Sequence, residues 1–358
     1  MKFIHLADVH LGAVPDKGYP WSNKREEEIW ETFRRVIAGI RENPVDLLFI
    51  AGDLFHRQPL LRELKEVNYL FSTIPDTRIY LMAGNHDYIK PNSFYKTFQW
   101  ESNVIFFREE ELVCAKDPKL DVYVYGLSYH HQEIRQSYYD FAKPREGEGL
   151  HILLAHGGDE KHIPVNVRHI LSSGFDYVAL GHIHKPQELV KNSAAYAGAL
   201  EPIDKNDTGA HGYVLGQLEN GRIRTEFIPF ASRSYEEIKV VLQETSTQMS
   251  MEEEVKKAIS GCGSQNIYRI LISGMRAPEL LLIPEKLKNF GNVLEVTDES
   301  RPAYDLEELQ KRYRGTLIGD YIQYFREKEN ISPVEKKALY YGLQALLETS
   351  AGKRDSGK

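Results

Sequence analysis

Five short fragments carry the side chains most able to do chemistry: Asp8-Val9-His10, Gly52-Asp53, Gly84-Asn85-His86-Asp87, His156-Gly157 and Gly181-His182-Ile183-His184. They offer carboxylate, amide and imidazole groups, the oxygen and nitrogen donors that divalent transition-metal ions accept. Singly, each is a weak signal. An Asp-x-His is commonly a polar loop, and a His-x-His can be a satisfied surface pair. Jointly they are informative, because each follows directly on an apolar run that reads as a strand. Gly52, Gly84 and Gly181 beside them permit tight turns and close backbone approach.

The elements that must position these groups follow from periodicity. Lys2–Leu6, Leu47–Ile50, Ile79–Met82, Ile152–Ala155 and Tyr177–Leu180 are predicted strands running into the five fragments, and Val122–Tyr125 is a further strand. Between them lie helical stripes. One is Ile29, Phe33, Val36, Ile37 and Ile40, with Asn23 and Glu26 as a capping pair. The other is Leu60, Leu64, Val67, Leu70, Phe71 and Ile74. Such alternation predicts an α/β domain with a largely buried sheet, and ligands of open α/β sheets bind beyond the carboxyl ends of the strands. Asn220-Gly221, between Tyr213–Leu218 and Ile223–Ile228, reads as a hairpin turn closing a first domain over residues 1–231. Residues 232–300 read as a small α/β capping domain. Its strands are Ile238–Leu242, Ile267–Ile272 and Val293–Val296, with a helix capped by Ser250 and Glu253 and another near Pro284–Asn289. Residues 301–358 read as a helical C-terminal segment. Its last helix starts near Ser332, and its stripe of Leu339, Tyr340, Leu343, Leu346 and Leu347 either packs on its own domain or faces a partner. Gly352–Lys358 reads as a frayed tail.

Composition narrows the class. The chain has 358 residues, 42% hydrophobic and 27% charged, with a net charge of -7. This is ordinary globular material without a global attraction for nucleic acid, so any DNA binding would have to come from local basic patches or from metal ions. Lys24, Arg25, Arg34, Arg35, Arg57, Arg62 and Lys90 lie near the fragments, although most such charges are solvated helix faces. Tyr88, Tyr95 and Trp100 follow the third fragment and could stack on bases, although packing is the commoner role of aromatics. Cys114 and Cys262 fit no ligand or redox spacing and read as reduced thiols. Met1–His10 has no signal-like apolar stretch and no run approaches membrane length, so a cytoplasmic protein is expected. His5 reads as a core residue. His130 and His131 are adjacent and point apart, and His151, His162, His169 and His211 read as structural or surface groups.

Together the five fragments resemble, in full, the signature of the calcineurin-like metallophosphoesterases, over roughly residues 1–230. Asp87 ending the third fragment, the run Gly52-Asp53-Leu54-Phe55-His56, and the α/β and helical segments that follow resemble the SbcD-type DNA repair nucleases. The resemblance implies a four-layer α/β/β/α sandwich with a small α/β cap and a helical C-terminal tail. It implies two divalent metal ions, manganese in the nuclease branch, one on Asp8, His10, Asp53 and His184 and the other on Asp53, Asn85, His156 and His182. One shared carboxylate suits ions about 3.5–4 Å apart. It implies a catalytic role for His86, protonating the leaving 3′ oxygen or positioning the phosphate, with Asp87 holding its other ring nitrogen. His56 either approaches substrate or caps the helix after Pro59. The implied activity is hydrolysis of DNA phosphodiesters by a two-metal activated-water mechanism, as a 3′–5′ exonuclease with single-strand endonuclease action. The implied partners are DNA and an SbcC-type coiled-coil ATPase, and a homodimer is compatible with it. Two alternatives stand beside this: a phosphodiesterase or phosphatase for a small phosphorylated molecule, and a metal-bearing interaction scaffold with little catalysis.

Overall fold

In the first strands of the chain, alternate residues serve different cores. In the computed structural model, which describes residues 1–117, 119–146, 149–328 and 330–355, β1 (Lys2–Leu6) and β2 (Leu47–Ala51) turn Phe3, Leu47, Phe49 and Ala51 to one face. They turn Ile4, Leu6, Leu48 and Ile50 to the other. Both faces are apolar, as a sheet covered on both sides requires. The second set packs on α1 (Ser22–Glu42) and α2 (Leu61–Ser72) through Phe33, Val36, Leu64, Val67 and Phe71. The first set meets a second sheet: Val122, Val124, Ile152, Leu154, Tyr177 and Ala179.

The first sheet has the order β12-β11-β1-β2-β3-β4, with β3 at Arg78–Met82, β4 at Val104–Phe107, β11 at Gly212–Glu219 and β12 at Arg222–Pro229. Strands β1 to β4 are parallel, and β11 and β12 join antiparallel through the Asn220-Gly221 hairpin. The second sheet has the order β5-β6-β7-β8-β10-β9. It comprises β5 (Val113–Asp117), β6 (Val122–Gly126), β7 (Leu150–His156), β8 (Tyr177–Gly181), β9 (Gln187–Val190) and β10 (Ala194–Tyr196). Its outer face, Leu153, Ala155, Val178 and Leu180, packs with Ile170 of α3 (Val167–Ser172) and with Tyr139. Helices, sheet, sheet and helix form the α/β/β/α sandwich. The buried-sheet reading missed β4, β5, β9 and β10, which are only three to five residues long and too short to show a period.

Helix starts differ from expectation. Trp21 precedes α1 without a side-chain cap, so Asn23 and Glu26 do not form the predicted pair. The later helix α4 (Gln248–Cys262) begins two residues before Ser250. There Thr247 and Ser250 exchange side-chain-to-backbone bonds (Ser250 N–H to Thr247 Oγ1 3.1 Å, Thr247 N–H to Ser250 Oγ 2.9 Å).

Contacts divide the chain into two compact units, Met1–Glu236 and Glu237–Lys358. In the second, a sheet of β13 (Tyr235–Leu242), β14 (Ile267–Arg276), β15 (Asn292–Asp298) and the short β16 (Arg301–Pro302) packs on α4. Its core is Ile238, Val240, Val255, Ile259, Ile270 and Ile272. Residues 284–289 form a 3-10 helix. Then come α5 (Leu306–Arg312), α6 (Leu317–Arg326) and α7 (Pro333–Asp355). The α7 stripe packs on its own unit: Leu343, Leu346 and Leu347 meet Ile318 and Ile322, and Tyr340 stacks on Tyr304 at 6.3 Å. Part of the predicted frayed tail, Gly352–Asp355, is helical. Residues 356–358 lie outside the described residues.

Candidate metal centre

The carboxyl ends of β1, β2 and β3 in one sheet and of β7 and β8 in the other converge, and the five fragments meet there. Asp8, His10, Asp53, Asn85 and His156 are buried, and His182 and His184 are half-buried. The Asp53 carboxylate lies at the centre. Its Oδ2 is 3.4 Å from His156 Nε2 and 3.9 Å from His10 Nε2, and its Oδ1 accepts the His86 backbone N–H at 2.8 Å. Asn85 Oδ1 sits 2.9 Å from His156 Nε2 and 3.0 Å from His182 Nδ1. His10 Nε2 and His184 Nε2 are 3.0 Å apart. Asp8 accepts the His182 N–H at 3.1 and 3.0 Å.

Local backbone geometry is unusual here. Asp8, His10, Asp53 and His182 have φ of 49, 51, 50 and 95°. Left-handed conformations cost energy in non-glycine residues and gather where the surroundings over-determine them, at sites of function. The glycines make the closeness possible. A Cβ on Gly84 would stand 2.3 Å from Asp53 Oδ1, and one on Gly52, itself at φ 84°, would stand 2.4 Å from His156 Nδ1.

The outward ring nitrogens decide which lone pairs face inward. His156 Nδ1–H donates to the Ala51 carbonyl at 2.8 Å, leaving Nε2 for the site. His184 Nδ1–H donates to Asp207 Oδ2 at 3.1 Å, and His182 Nε2–H to Asp159 Oδ2 at 2.7 Å. In its neutral form each imidazole therefore turns an unprotonated nitrogen inward, among carboxylate and amide oxygens that can only accept. Such a donor set fits a cation. Burial opposes charge on His156 and His184, but without a cation Asp53 on the first and Asp207 on the second lift both to about 9, so a cation would displace the inward proton of each ring. Burial also opposes ionisation of Asp53, but His156 and His10 draw it well below the ordinary carboxylate range. Burial holds His10 well below 6.5, neutral and suited to ligation. Two overlapping sets, Asp8-His10-His184 and Asp8-Asp53-His156, place ligand atoms within 4.8 Å of one another.

Two expectations are corrected. Asp87 does not hold His86. Its buried carboxylate accepts Gly84 N–H at 2.8 Å, Phe55 N–H at 3.2 Å and the Tyr95 hydroxyl at 2.8 Å, while His86 Nδ1–H donates to the His56 carbonyl at 3.2 Å. Asp87 thus pins the turn that carries Asn85 and His86, with burial raising its pKa to about 7. His56 does not cap α2, because the Leu60 N–H is taken by Glu63 at 2.7 Å. Instead its ring stacks on His86 at 5.0 Å, and its Nδ1 is 3.4 Å from His10 Nδ1.

Several proposed basic DNA contacts already have partners within the chain, although only Arg25 among them is buried. Arg25 is buried against Glu28 and the Pro202 carbonyl. Arg34 pairs with Glu27 and Glu66, Arg35 with the Phe230 carbonyl, and Arg57 with Glu63. Tyr95 is buried on Asp87 and Trp100 packs near Phe71 and Phe106, so neither offers a stacking face. Lys24 and Arg62 are exposed, and Lys90 lies over the Tyr88 ring at 4.9 Å. Sequence reasoning missed Asp159 and Asp207. Neither has a local pattern to separate it from other turn aspartates. His162, read as structural, joins Asp159 at 2.9 Å. His5, His151 and His211 are satisfied inside the fold, by Tyr177 and Leu180, by Tyr125, and by Ala199 and Asp207 respectively.

The class follows from the sandwich and this centre together: the chain belongs to the calcineurin-like phosphoesterases, whose model matches residues 1–186. They are metal-dependent phosphoester hydrolases that typically bind two divalent metals, and the His/Asp cluster fits such a site. Among its relatives, the chain is 29% identical over 306 residues to the uncharacterized metallophosphoesterase YhaO of Bacillus subtilis, covering 79% of this chain and 74% of that one. It is 28% identical over 223 residues to the DNA double-strand break repair protein Mre11 of Methanocaldococcus jannaschii, 58% of each chain. It is also 28% identical over 263 residues to Mre11 of Methanopyrus kandleri, 64% of this chain and 56% of that one. The chain thus spans a little more than half of those two Mre11 proteins. Among the described residues no helix is long and apolar enough to cross a membrane.

Proposed function

We propose that this protein is a metal-dependent DNA repair nuclease of the SbcD and Mre11 kind, acting as a 3′–5′ exonuclease and single-strand endonuclease with manganese. Asp8, His10, Asp53 and His184 would hold one cation and Asp53, Asn85, His156 and His182 the other. When bound, such ions neutralise phosphate charge and make a water acidic enough to attack phosphorus near neutral pH. The chain's own contribution centres on His86. Its backbone N–H is tied to Asp53 and its Nδ1–H to the His56 carbonyl, so Nε2 is left to exchange a proton with the leaving oxygen or to hold the phosphate. The observation that carries the reading is this ring, 4.8 Å from the His10 ring and outside the seven ligand positions. The printed role of the Mre11 relatives, DNA double-strand break repair, supports DNA as substrate. A coiled-coil ATPase partner belongs to the same reading. Because the α7 stripe is packed, such a partner would meet outward groups such as Leu317, Tyr324, Val334 and Tyr341.

The test is end-labelled DNA incubated with the purified chain and manganese, magnesium or chelator. Manganese-dependent shortening is expected, abolished by chelator. His86→Ala should cut turnover by about 10²–10⁴-fold with metal content intact. A second reading, a phosphodiesterase for small molecules, draws support from the partners that Arg25, Arg34, Arg35 and Arg57 already have within the chain. Turnover of bis-p-nitrophenyl phosphate or nucleotides with DNA left intact would establish it and reject the nuclease. Retained cellular function in His86→Ala would favour a scaffold.

A further inference from the structure

Among the histidines anchored above, His182 alone turns Nδ1 toward the site, and its anchor lies outside the seven ligand positions. Its Nε2–H meets Asp159 Oδ2 at 2.7 Å. Asp159 belongs to a tight loop. There its Oδ1 accepts the N–H groups of Lys161 at 2.7 Å and His162 at 2.9 Å, and the Gly158 N–H closes on the His162 carbonyl at 2.9 Å. His162 Nδ1 adds a contact to the same carboxylate at 2.9 Å, and its ring lies 4.4 Å from that of His182. Several donors therefore fix the orientation of a carboxylate whose side chain is still 45% exposed. His156, by contrast, is pinned by a backbone carbonyl of a buried strand.

A neutral imidazole carries its proton on either nitrogen, and only the form protonated at Nε2 leaves Nδ1 able to ligate. An ionised carboxylate can only accept, so Asp159 selects that form and holds the ring plane. Resting on the two-cation reading above, we propose that Asp159, locked by His162, is the positioning residue for His182, and that it sets the affinity of the cation shared by Asn85, His156 and His182. Asp207 stands in the same relation to His184, with a side chain only 11% exposed. The two cations thus depend on different anchors, and the one that leans on the exposed loop is the one a change in that loop releases.

The experiment titrates the full chain, freed of metal, with Mn²⁺ by calorimetry and follows the ion–ion coupling by electron paramagnetic resonance. Wild type is expected to take two ions and give a coupled spectrum. Asp159→Ala should weaken one binding step by about ten- to a hundredfold and leave the other unchanged, giving an isolated-ion spectrum at subsaturating metal. His162→Gln should shift the same step less, and it serves as the test should Asp159→Ala fail to fold, which thermal unfolding of the metal-free forms monitors. Two ions bound with unchanged affinities in both variants would overturn the positioning role and leave the two-cation reading standing. No ion bound by wild type would sink the two-cation reading itself. A third ion, lost in both variants, would make Asp159, His162 and His182 a metal site and also overturn the positioning role.

Discussion

Asp87 is the residue whose surroundings changed its meaning. It sits one position after His86, and adjacency invites a carboxylate–imidazole pair, but consecutive side chains diverge and the His56 carbonyl takes the imidazole. Asp87 instead gathers three donors from three segments: Phe55 after β2, Gly84 after β3, and Tyr95. Asp87→Ala would leave all three without an acceptor in a buried place. The expected loss is about 3 kcal/mol or more, since each unsatisfied group costs about 1–3 kcal/mol. Urea unfolding of the metal-free protein measures it, and a loss under 1 kcal/mol would contradict the account (about 1 kcal/mol being the least a single orphaned donor costs). Tyr95→Phe removes one donor only and should cost less.

Elements carry two further predictions. Helix α2 starts at a residue without a capping side chain, and Glu63 supplies the acceptor by reaching back to the Leu60 N–H while pairing with Arg57 at 2.7 Å. Glu63→Ala should destabilise by about 1–2 kcal/mol, the scale of a lost N-terminal cap, visible as a lower urea midpoint at unchanged slope. In β1, His5 is buried, with Tyr177 hydroxyl at 3.1 Å on Nδ1 and the Leu180 carbonyl at 3.2 Å on Nε2. Both bonds suit the neutral ring, and burial lowers its pKa to about 3. The folded state therefore refuses a proton that the unfolded chain accepts below 6.5. Between pH 6.5 and 3 the unfolded state holds more protons, so stability falls on acidification, by up to about 1.4 kcal/mol per pH unit from this residue. Above 6.5 the effect vanishes. His5→Gln should show a shallower decline on the acid side than wild type. Parallel stability–pH curves below 6.5 would count against a neutral buried His5.

At the scale of the molecule, the candidate metal groups all lie in the unit Met1–Glu236. Their carboxylates and imidazoles are brought together only by folding, so an ion that binds them stabilises the folded state. At a hundredfold excess over its dissociation constant the expected gain is about 2.7 kcal/mol. Calorimetric scans with Mn²⁺ and with chelator should differ accordingly, and His182→Ala should shrink the difference. Identical scans would argue against binding at this centre. In the second unit the α7 stripe is packed on α6, so its leucines serve stability, and a partner surface there must use other side chains.

Much of this was written into local pattern. The strands that end in Asp8, Asp53, Asn85, His156 and His182 announce themselves by apolar runs, and the Asn220-Gly221 hairpin by its turn residues, because burial and turn conformation act over a few neighbours. The order of the five fragments and the α/β class needed nothing more. What folding alone decided is how separate strands face one another. His156 of one sheet leans on the Ala51 carbonyl of the other, Asp159 and Asp207 reach His182 and His184 from their own turns, and Tyr95 finds Asp87. These contacts join residues whose spacing along the chain has no period, and an aspartate in a turn looks the same whether its carboxylate faces water or an imidazole. Ring orientation, protonation and the engagement of the arginines are set by that apposition, so they became visible only once the two sheets were packed.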